Sequence, residues 1–565
     1  MKSRIARVRR NHPRAYKILL YSSPFFIYLL LSIIFFGPSN LGAIHNSLFN
    51  NSGDPQSFVW FLNWWPYSIL HGLNPFITNY VWYPSGFNLT WATSIPTAAL
   101  IMAPVTLLWG ALVSFNILAL LAPALSALTC FYLVYYLTKG YLPSLFSGYI
   151  FGFSSYELGQ LLGHTNLYLT FLIPLLILVF LLRLNHRIGK VTFILLTSLM
   201  LAAEFGISTE IFATFILFSL ISILVFYLFA NKTLRSRLIA TTKELVFAMG
   251  LFVIIVSPYL YYLLKGYTGA APNSAVLFSA DILNFIVPTP VTLVGHTAFR
   301  HIAGNFTGNF SEEGAYLGIP FLSLLIYVFV RYWRKYYIKA LAIIFFTIAI
   351  FSLGPRLHIN GAVKGFPLPW ALATHLPLIK SALPIRLSMY LFLVLALLLG
   401  FWLSQKVSRK FLFTKYAIAL ASIVFILPNL GANSWQKVSY PKIFNKQVVA
   451  NYISPGSNVL ILPFSYQGNS MYYQYTSGME FRQAGGYVGA MPKKYSSLLL
   501  VASLLNETTD PHFKADLYKF CRMYDVAKII YTPSITLYLK GELGLLHWNT
   551  VVIGNTTIIS VPSST

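Results

Sequence analysis

A series of apolar runs, each near the length of a membrane-crossing helix, most constrains what this chain can fold into. Twelve such runs lie between residues 18 and 430, at 18–37, 95–112, 116–137, 141–155, 165–182, 191–230 (two runs), 244–264, 315–330, 340–353, 386–404 and 416–430. A helix needs about 20 apolar residues to cross the hydrocarbon core. Only 10% of the residues are charged, against roughly 25% in soluble domains. The sequence therefore predicts an all-α polytopic membrane protein.

The basic residues indicate topology rather than nucleic-acid binding. The net charge is +26, from 40 Lys and Arg and 14 acids. Much of the excess lies in five short clusters between apolar runs, at 2–17, 183–190, 232–243, 331–339 and 406–415. Such clusters mark cytoplasmic loops in multi-pass proteins. We therefore expect a cell-membrane protein with a cytoplasmic N-terminus and no nucleic-acid partner.

Two neighbouring cytoplasmic clusters lie on the same side of the membrane, so the chain between them must cross it an even number of times. This rule predicts the topology and the domain organisation. Five runs lie between residues 17 and 183, so one of them does not cross fully. The run 141–155 is short and contains Gly and Ser, and 95–112 carries two prolines. We expect about 11 to 13 transmembrane helices. The predicted order is a basic cytoplasmic tail, 1–17, and a membrane module, 18–430, with external loops 38–94, 265–314 and 354–385.

The last part of the chain has a different pattern. Short β-rich segments at 457–462, 528–531 and 550–553 are separated by turn residues. This alternation is typical of strands in a mixed fold. We predict a small extracytoplasmic α/β domain over residues 431–565.

Acidic residues are scarce enough in residues 1–430 to single out candidates. There are eight, and all except Glu244 fall in or beside predicted external segments: Asp54, Glu157, Glu204, Glu210, Asp281, Glu312 and Glu313. Ionisable groups near membrane depth are costly and therefore functional candidates. Asp54 precedes an aromatic stretch, 58–65, which we expect to form a helix in the membrane interface. The alternative is an exposed turn aspartate beside interfacial tryptophans.

Further acid–base and phosphate-binding candidates lie in the external segments. Glu204, Glu210 and His164 are second-tier acid or base candidates, although Glu204 equally suits a helix-end acid paired with a neighbouring cation. Arg300, Arg356 and Arg386 lie outside the basic clusters. Because Arg binds phosphate bidentately, they are candidates for an anionic lipid headgroup. The alternative is arginines that snorkel to ordinary phospholipid.

No cofactor is predicted. The two cysteines form no disulfide framework, and the chain has no nucleotide-binding motif. His296 and His301 share a loop with Glu312 and Glu313, without a typical ligand spacing. A divalent ion held by Asp54, His296 and His301 stays open as an alternative.

Several short motifs resemble those of one membrane-enzyme superfamily. They are Gly53-Asp54-Pro55, His71-Gly72-Leu73-Asn74-Pro75-Phe76, Tyr83-Pro84-Ser85-Gly86, Gly163-His164-Thr165-Asn166, Leu353-Gly354-Pro355-Arg356 and Leu383-Pro384-Ile385-Arg386. With the predicted topology, they resemble the GT-C superfamily of integral-membrane glycosyltransferases over about residues 1–430. In that family an acid of the first external loop acts as general base or helps to hold a metal. The resemblance assigns the first role to Asp54, although many relatives have paired acids where this chain has Gly53 and Pro55 beside it.

The resemblance implies a hexosyl- or pentosyltransferase. It would move a sugar from a polyprenyl-phosphate donor to a glycan, lipid or protein acceptor on the extracytoplasmic side, with inversion at the anomeric carbon. Two alternatives remain open. One is a flippase or transporter of lipid-linked sugars, and the other is a non-catalytic envelope protein that binds a glycolipid.

Overall fold

The computed structural model describes residues 13–50, 53–266, 273–376, 379–489, 491–508 and 510–562. Within them, six helices are long and apolar enough to cross a membrane: Ile18–Phe36, Ala111–Thr138, Thr165–Leu184, Thr209–Phe229, Lys232–Lys265 and Pro384–Ser404. Ile319–Tyr332 and Tyr336–Ser352 are shorter apolar helices. The predicted helical membrane protein is thereby confirmed. The first helix begins at Pro13, and the predicted basic tail, 1–17, lies outside the described residues as far as residue 12.

The chain forms two compact units. The first, here called the helical unit, takes in residues up to 39, 117–256 and 270–434. The second, here called the mixed unit, takes in residues 40–116, 257–269 and 435 to the C-terminus. The mixed unit therefore joins most of the predicted first external loop to the predicted C-terminal domain. Residues far apart in sequence can form a site within it.

Close packing around a short buried helix organises the helical unit. The run at 141–155 forms the helix Tyr141–Gly152, and most of its side chains are buried. A Cβ atom at Gly148 or Gly152 would collide with the neighbouring backbone around Ala127. Small residues let helix backbones approach closely where the surrounding surface is apolar. The remaining helices of eight or more residues in this unit are Lys190–Phe205 and Arg409–Val424.

The run at 95–112 does not form one helix. It is divided into Pro96–Ile101 and Ala103–Trp109, with Met102 between them. Pro104 has no backbone N–H, and its ring excludes the carbonyl of a continuing helix, so the run breaks here. Both short helices belong to the mixed unit. Each of the other eleven predicted runs contains a described helix.

The mixed unit begins with an aromatic helix and two small sheets. Gly53–Leu70 is an 18-residue helix, here called the Asp54 helix. Strands β1 (Ser47–Phe49), β2 (Ile77–Thr78) and β3 (Phe87–Asn88) flank it in sequence. β2 pairs with β3, and β1 pairs with β6 (Trp435–Lys437). In the helical unit, β4 (Arg356–Ile359) and β5 (Ala362–Pro367) form a separate antiparallel hairpin.

A five-stranded mixed sheet forms the core of the C-terminal region. Its strands are β7 (Asn458–Leu462), β8 (Arg482–Gln483), β9 (Val526–Tyr531), β10 (Thr550–Ile553) and β11 (Thr556–Ser560), in the order β10-β11-β9-β7-β8. β7 pairs in parallel with β8 and β9. The helices of this region are Ser470–Thr476, Lys493–Ser496, Leu499–Asn506, Phe513–Met523 and Leu537–Gly544. The predicted α/β character of the C-terminal region is confirmed.

Candidate active site

Asp54 lies in the first turn of the Asp54 helix. Proline is tolerated at such a position because the first N–H groups of a helix have no internal partner, and Pro55 follows here. A carboxylate near a helix N-terminus is stabilised by the helix dipole. The sequence thus fixes Asp54 at a helix end, where its side chain is partly exposed.

The partner of Asp54 comes from the C-terminal region. The hydroxyl of Tyr487 donates a hydrogen bond to Asp54 Oδ1 at 2.7 Å. Three residues further along the helix, Ser57 Oγ donates to the backbone carbonyl of Tyr487, also at 2.7 Å. Burial, followed by the negative charge of Asp54, raises the pKa of Tyr487 well above its ordinary value. Its hydroxyl therefore keeps its proton and acts as a donor.

The rest of the Asp54 helix is packed within the mixed unit. Trp60 and Trp64 are almost completely buried, and their rings stack 5.1 Å apart. Trp60 Nε1 donates to Gln474 Oε1 at 2.8 Å, and Gln56 Nε2 donates to Asn469 Oδ1 at 2.5 Å. The helix was predicted, but its aromatic rings pack in the protein interior instead of facing a membrane interface. This packing holds Asp54 on a rigid element.

The helical unit contains a second group of predicted residues. The cluster, named here the Arg386 cluster, consists of Arg386, Glu210, Glu312, His164 and Gln160. Arg386 donates to Glu312 through Nε at 2.9 Å and Nη2 at 2.5 Å, and its Nη1 donates to Glu210. His164 Nδ1 lies 2.7 Å from Gln160 Oε1, and Gln160 Nε2 donates to Glu312 at 3.3 Å. Three predicted site residues thus meet in one network.

The guanidinium of Arg386 is already paired with carboxylates inside this cluster. Glu312 is 3% exposed. Burial, the largest single cause, raises its pKa, but the charge and hydrogen bonds of Arg386, with smaller contributions from His164 and Gln160, together lower the pKa to about 2. Two carboxylates therefore face one guanidinium, and a phosphate at Arg386 would compete with both. The role of Arg386 in phosphate binding stays a prediction.

Arg356 and Arg300 have different surroundings. Arg356 begins β4, Arg300 begins the short helix Arg300–Ala303, and both side chains are exposed. Neither forms an ion pair within the part of the chain that the structure describes. Each guanidinium is thus available to an anion.

Glu204, the remaining second-tier candidate, ends the helix Lys190–Phe205 close to the turn before Thr209. Its side chain is fully buried, and neither carboxylate oxygen has a hydrogen-bond partner among the described residues. A pairing of Glu204 with a cation, which the sequence left open, is therefore not seen there.

The structure also places the residues of the alternative metal site. His296 and His301 are exposed in the helical unit, whereas Asp54 belongs to the mixed unit. Over the described ranges, no group of three or more His, Cys, Asp or Glu side chains is arranged to hold a metal ion.

Sequence reasoning missed Tyr487 and Gln160. Tyr487 lies 433 residues from Asp54, in Gly485-Gly486-Tyr487-Val488-Gly489. The glycines are a usable signal because they mark a sharply turning segment, and Gly486 has φ +112°. Gln160 ends the helix Ser155–Gln160, and His164 follows it by four residues. The backbone N–H of His164 donates to the carbonyl of Gln160 at 2.9 Å, so a single turn brings the two residues together.

Comparison with known proteins gives a family and a fold. A protein family described as a domain of unknown function, DUF6311, matches residues 25–427. None of the curated proteins matches this sequence.

Comparison with solved structures shows which folds are similar to that of this chain. ArnT from Cupriavidus metallidurans in the apo state has a TM-score of 0.51 and 10% identity, with 96% of this chain and 98% of that chain covered. The same protein bound to undecaprenyl phosphate has a TM-score of 0.49, 11% identity, and coverage of 98% and 99%. The apo oligosaccharyltransferase of Archaeoglobus fulgidus has a TM-score of 0.49, 13% identity, and coverage of 91% and 70%. The likeness to apo ArnT confirms the predicted GT-C-like fold.

Proposed function

This chain belongs to the DUF6311 family, and we propose that it is a membrane glycosyltransferase that uses a polyprenyl-phosphate-linked sugar as donor. The observation that carries this proposal is the fold, which resembles that of ArnT over 96% of the chain. The surroundings of Asp54 support it, because a partly exposed carboxylate on a rigid helix suits a general base.

In the proposed reaction, an acceptor hydroxyl attacks the anomeric carbon of the donor sugar. The Asp54 carboxylate takes the hydroxyl proton as the new C–O bond forms. The bond between the anomeric carbon and the phosphate oxygen breaks, and its electron pair leaves with the phosphate. The products are the glycosylated acceptor and the free polyprenyl phosphate. A single displacement of this kind inverts the anomeric configuration.

Arg356 and Arg300 are the preferred phosphate ligands. Both are exposed, and neither is engaged by a carboxylate within the described residues, so they can stabilise the negative charge that develops on the leaving group. ArnT has been captured with undecaprenyl phosphate, a carrier lipid of the proposed class. The preference for Arg356 and Arg300 over Arg386 rests on the two carboxylates already bound to Arg386.

The proposal places transfer on the extracytoplasmic side. The basic clusters assign the N-terminus and the loops that contain them to the cytoplasm. The segment 38–94, which carries Asp54, and the C-terminal region then lie on the opposite side. Accessibility labelling of single cysteines in these segments, in intact cells, tests the sidedness.

The experiment that tests the function measures release of free polyprenyl phosphate by the purified protein in lipid. A panel of polyprenyl-phospho-sugars is supplied with glycan, lipid and peptide acceptors, and wild type is compared with Asp54→Asn. We expect release by the wild type with one donor class, and a rate about 10²- to 10⁴-fold lower in the variant.

The possible results separate the function from the alternatives. Equal rates for wild type and Asp54→Asn would remove Asp54 as the base. Donor binding without release, under every acceptor condition, would favour a flippase or a glycolipid-binding protein.

A further inference from the structure

We propose that Tyr487 is a positioning residue for Asp54, so that the C-terminal region completes the catalytic group. This inference rests on the proposed function, because it assumes that Asp54 is the base. Tyr487 lies outside the segment 25–427 that the family match covers. The C-terminal region would then be an integral part of the catalytic unit.

Two hydrogen bonds tie Tyr487 to the Asp54 helix. The phenol donates to Asp54 Oδ1, and the backbone carbonyl of Tyr487 accepts from Ser57 Oγ, each at 2.7 Å. Asp54 and Ser57 are one helical turn apart and therefore share a face. Both ends of the tyrosine, side chain and backbone, are consequently held against the same turn of the helix.

The segment that carries Tyr487 is itself fixed. The backbone carbonyl of Gly486 accepts from Ser465 Oγ at 3.0 Å, and the carbonyl of Gly485 accepts from the N–H of Trp82 at 2.8 Å. Gly486 has a positive φ, and a Cβ there would lie 2.9 Å from a methyl carbon of Val81. Only glycine combines this backbone angle with such a close approach.

These contacts suit a residue that orients a base. A general base must hold one oxygen within hydrogen-bond reach of the proton that it takes. A carboxylate at the end of a single side chain can rotate, and a rigid donor at one oxygen restricts that rotation. Tyr487 can supply this restraint because its hydroxyl stays protonated beside the carboxylate.

The test removes only the hydroxyl, by Tyr487→Phe in the full-length protein in lipid. We expect kcat to fall about 10- to 100-fold, the range for losing a hydrogen bond to a charged group. The KM values for donor and acceptor and the thermal midpoint should stay close to wild type, because Tyr487 contacts the base and the protein core remains intact.

The matched control is Tyr495→Phe. The Tyr495 hydroxyl is also held within the mixed unit, where it donates to the carbonyl oxygens of Trp82 and Tyr83 at 3.0 and 2.8 Å. Its loss should lower the thermal midpoint and leave kcat per folded molecule unchanged. The positioning role is supported if Tyr487→Phe loses turnover and Tyr495→Phe loses stability.

Other results would overturn the inference. Wild-type kcat in Tyr487→Phe would do so, and so would parallel losses of turnover and stability in both variants. Addition of Tyr487→Phe to Asp54→Asn should cause no further loss of the residual rate, because the hydroxyl acts through the carboxylate. If Asp54→Asn turns over like wild type, the proposed base is wrong. If Asp54→Asn is inactive but Tyr487→Phe is fully active, the base stands and only the positioning role of Tyr487 is wrong.

Discussion

The two polar sites of this protein each contain a carboxylate, but the partners of that carboxylate differ. Asp54 is partly exposed, lies at a helix N-terminus and receives a neutral donor from Tyr487. Glu312 is buried and faces the guanidinium of Arg386. The hydrogen bond from a neutral hydroxyl adds no opposite charge beside a carboxylate, whereas a guanidinium does. This difference is one reason why we propose a chemical role for Asp54 and a structural role for the Arg386 cluster.

The architectural role follows from the elements that meet in the Arg386 cluster. Glu210 lies in the first turn of the helix Thr209–Phe229, Arg386 lies near the N-terminal end of Pro384–Ser404, and Glu312 lies in the segment 304–318 between helices. Glu210 also accepts from the backbone N–H of Leu383 at 2.8 Å. The cluster thereby joins three distant parts of the sequence at the helix ends.

The largest effect on stability is expected from Arg386→Leu. Removal of the guanidinium leaves the buried carboxylate of Glu312 and the partly buried one of Glu210 without their cation. Breaking a buried pair in this way costs about 3–5 kcal/mol. Thermal denaturation in detergent should show a large fall in the midpoint. Arg386→Lys keeps the charge but loses the planar arrangement of donors. Its thermal midpoint should therefore lie between those of the wild type and Arg386→Leu. Wild-type stability in Arg386→Leu would contradict the architectural role.

A second prediction concerns the loss of stability at acid pH. The pKa of Glu312 is lowered to about 2 in the folded protein, whereas an unperturbed glutamate has a pKa of about 4.3. Its contribution to stability is therefore present above about pH 4.3 and is lost as the pH falls toward 2. Thermal midpoints measured from pH 7 to pH 3 should be steady at first and then decline. Glu312→Gln should show a weaker decline, and an unchanged acid profile in that variant would argue against the pairing.

The smallest predicted effect concerns Arg356, an exposed arginine, in contrast to Arg386, which is paired with carboxylates. Arg356→Ala should raise the KM for the donor about 10-fold, since loss of a phosphate contact costs on the order of 1–2 kcal/mol. The thermal midpoint should not change, because the side chain is exposed. Lys364→Ala is the matched control, an exposed cation on the same β4–β5 hairpin. Equal donor KM values in Arg356→Ala and wild type would remove Arg356 from the phosphate site.

The sequence predicts the helical part of this fold well because lipid imposes a simple rule. Backbone polar groups must be satisfied within each apolar segment, so a run of sufficient length becomes a helix. The rule fails at 95–112, where Pro104 interrupts the ladder of hydrogen bonds. It also cannot say which aromatic helix faces a membrane, and the burial of Trp60 and Trp64 comes from packing against other parts of the mixed unit.

The sites were harder to predict because their partners are distant in sequence. Asp54 is identifiable from its isolation and its motif, but its donor Tyr487 is 433 residues away. Arg386 and Glu210 are 176 residues apart, and composition alone gives no reason to pair them. A charge seen in sequence does not reveal whether the folded protein has already matched it.

The most direct test of the central claim, that Asp54 is a general base in a glycosyl transfer, is the anomeric configuration of the first product. Purified wild-type protein would be given its donor and acceptor, and the anomeric configuration of the new glycosidic linkage would be determined by NMR and compared with that of the donor. The account predicts inversion, because the acceptor hydroxyl displaces the phosphate in a single step. Retention would require a double displacement or a front-face attack, and would contradict a single inverting displacement with Asp54 as base.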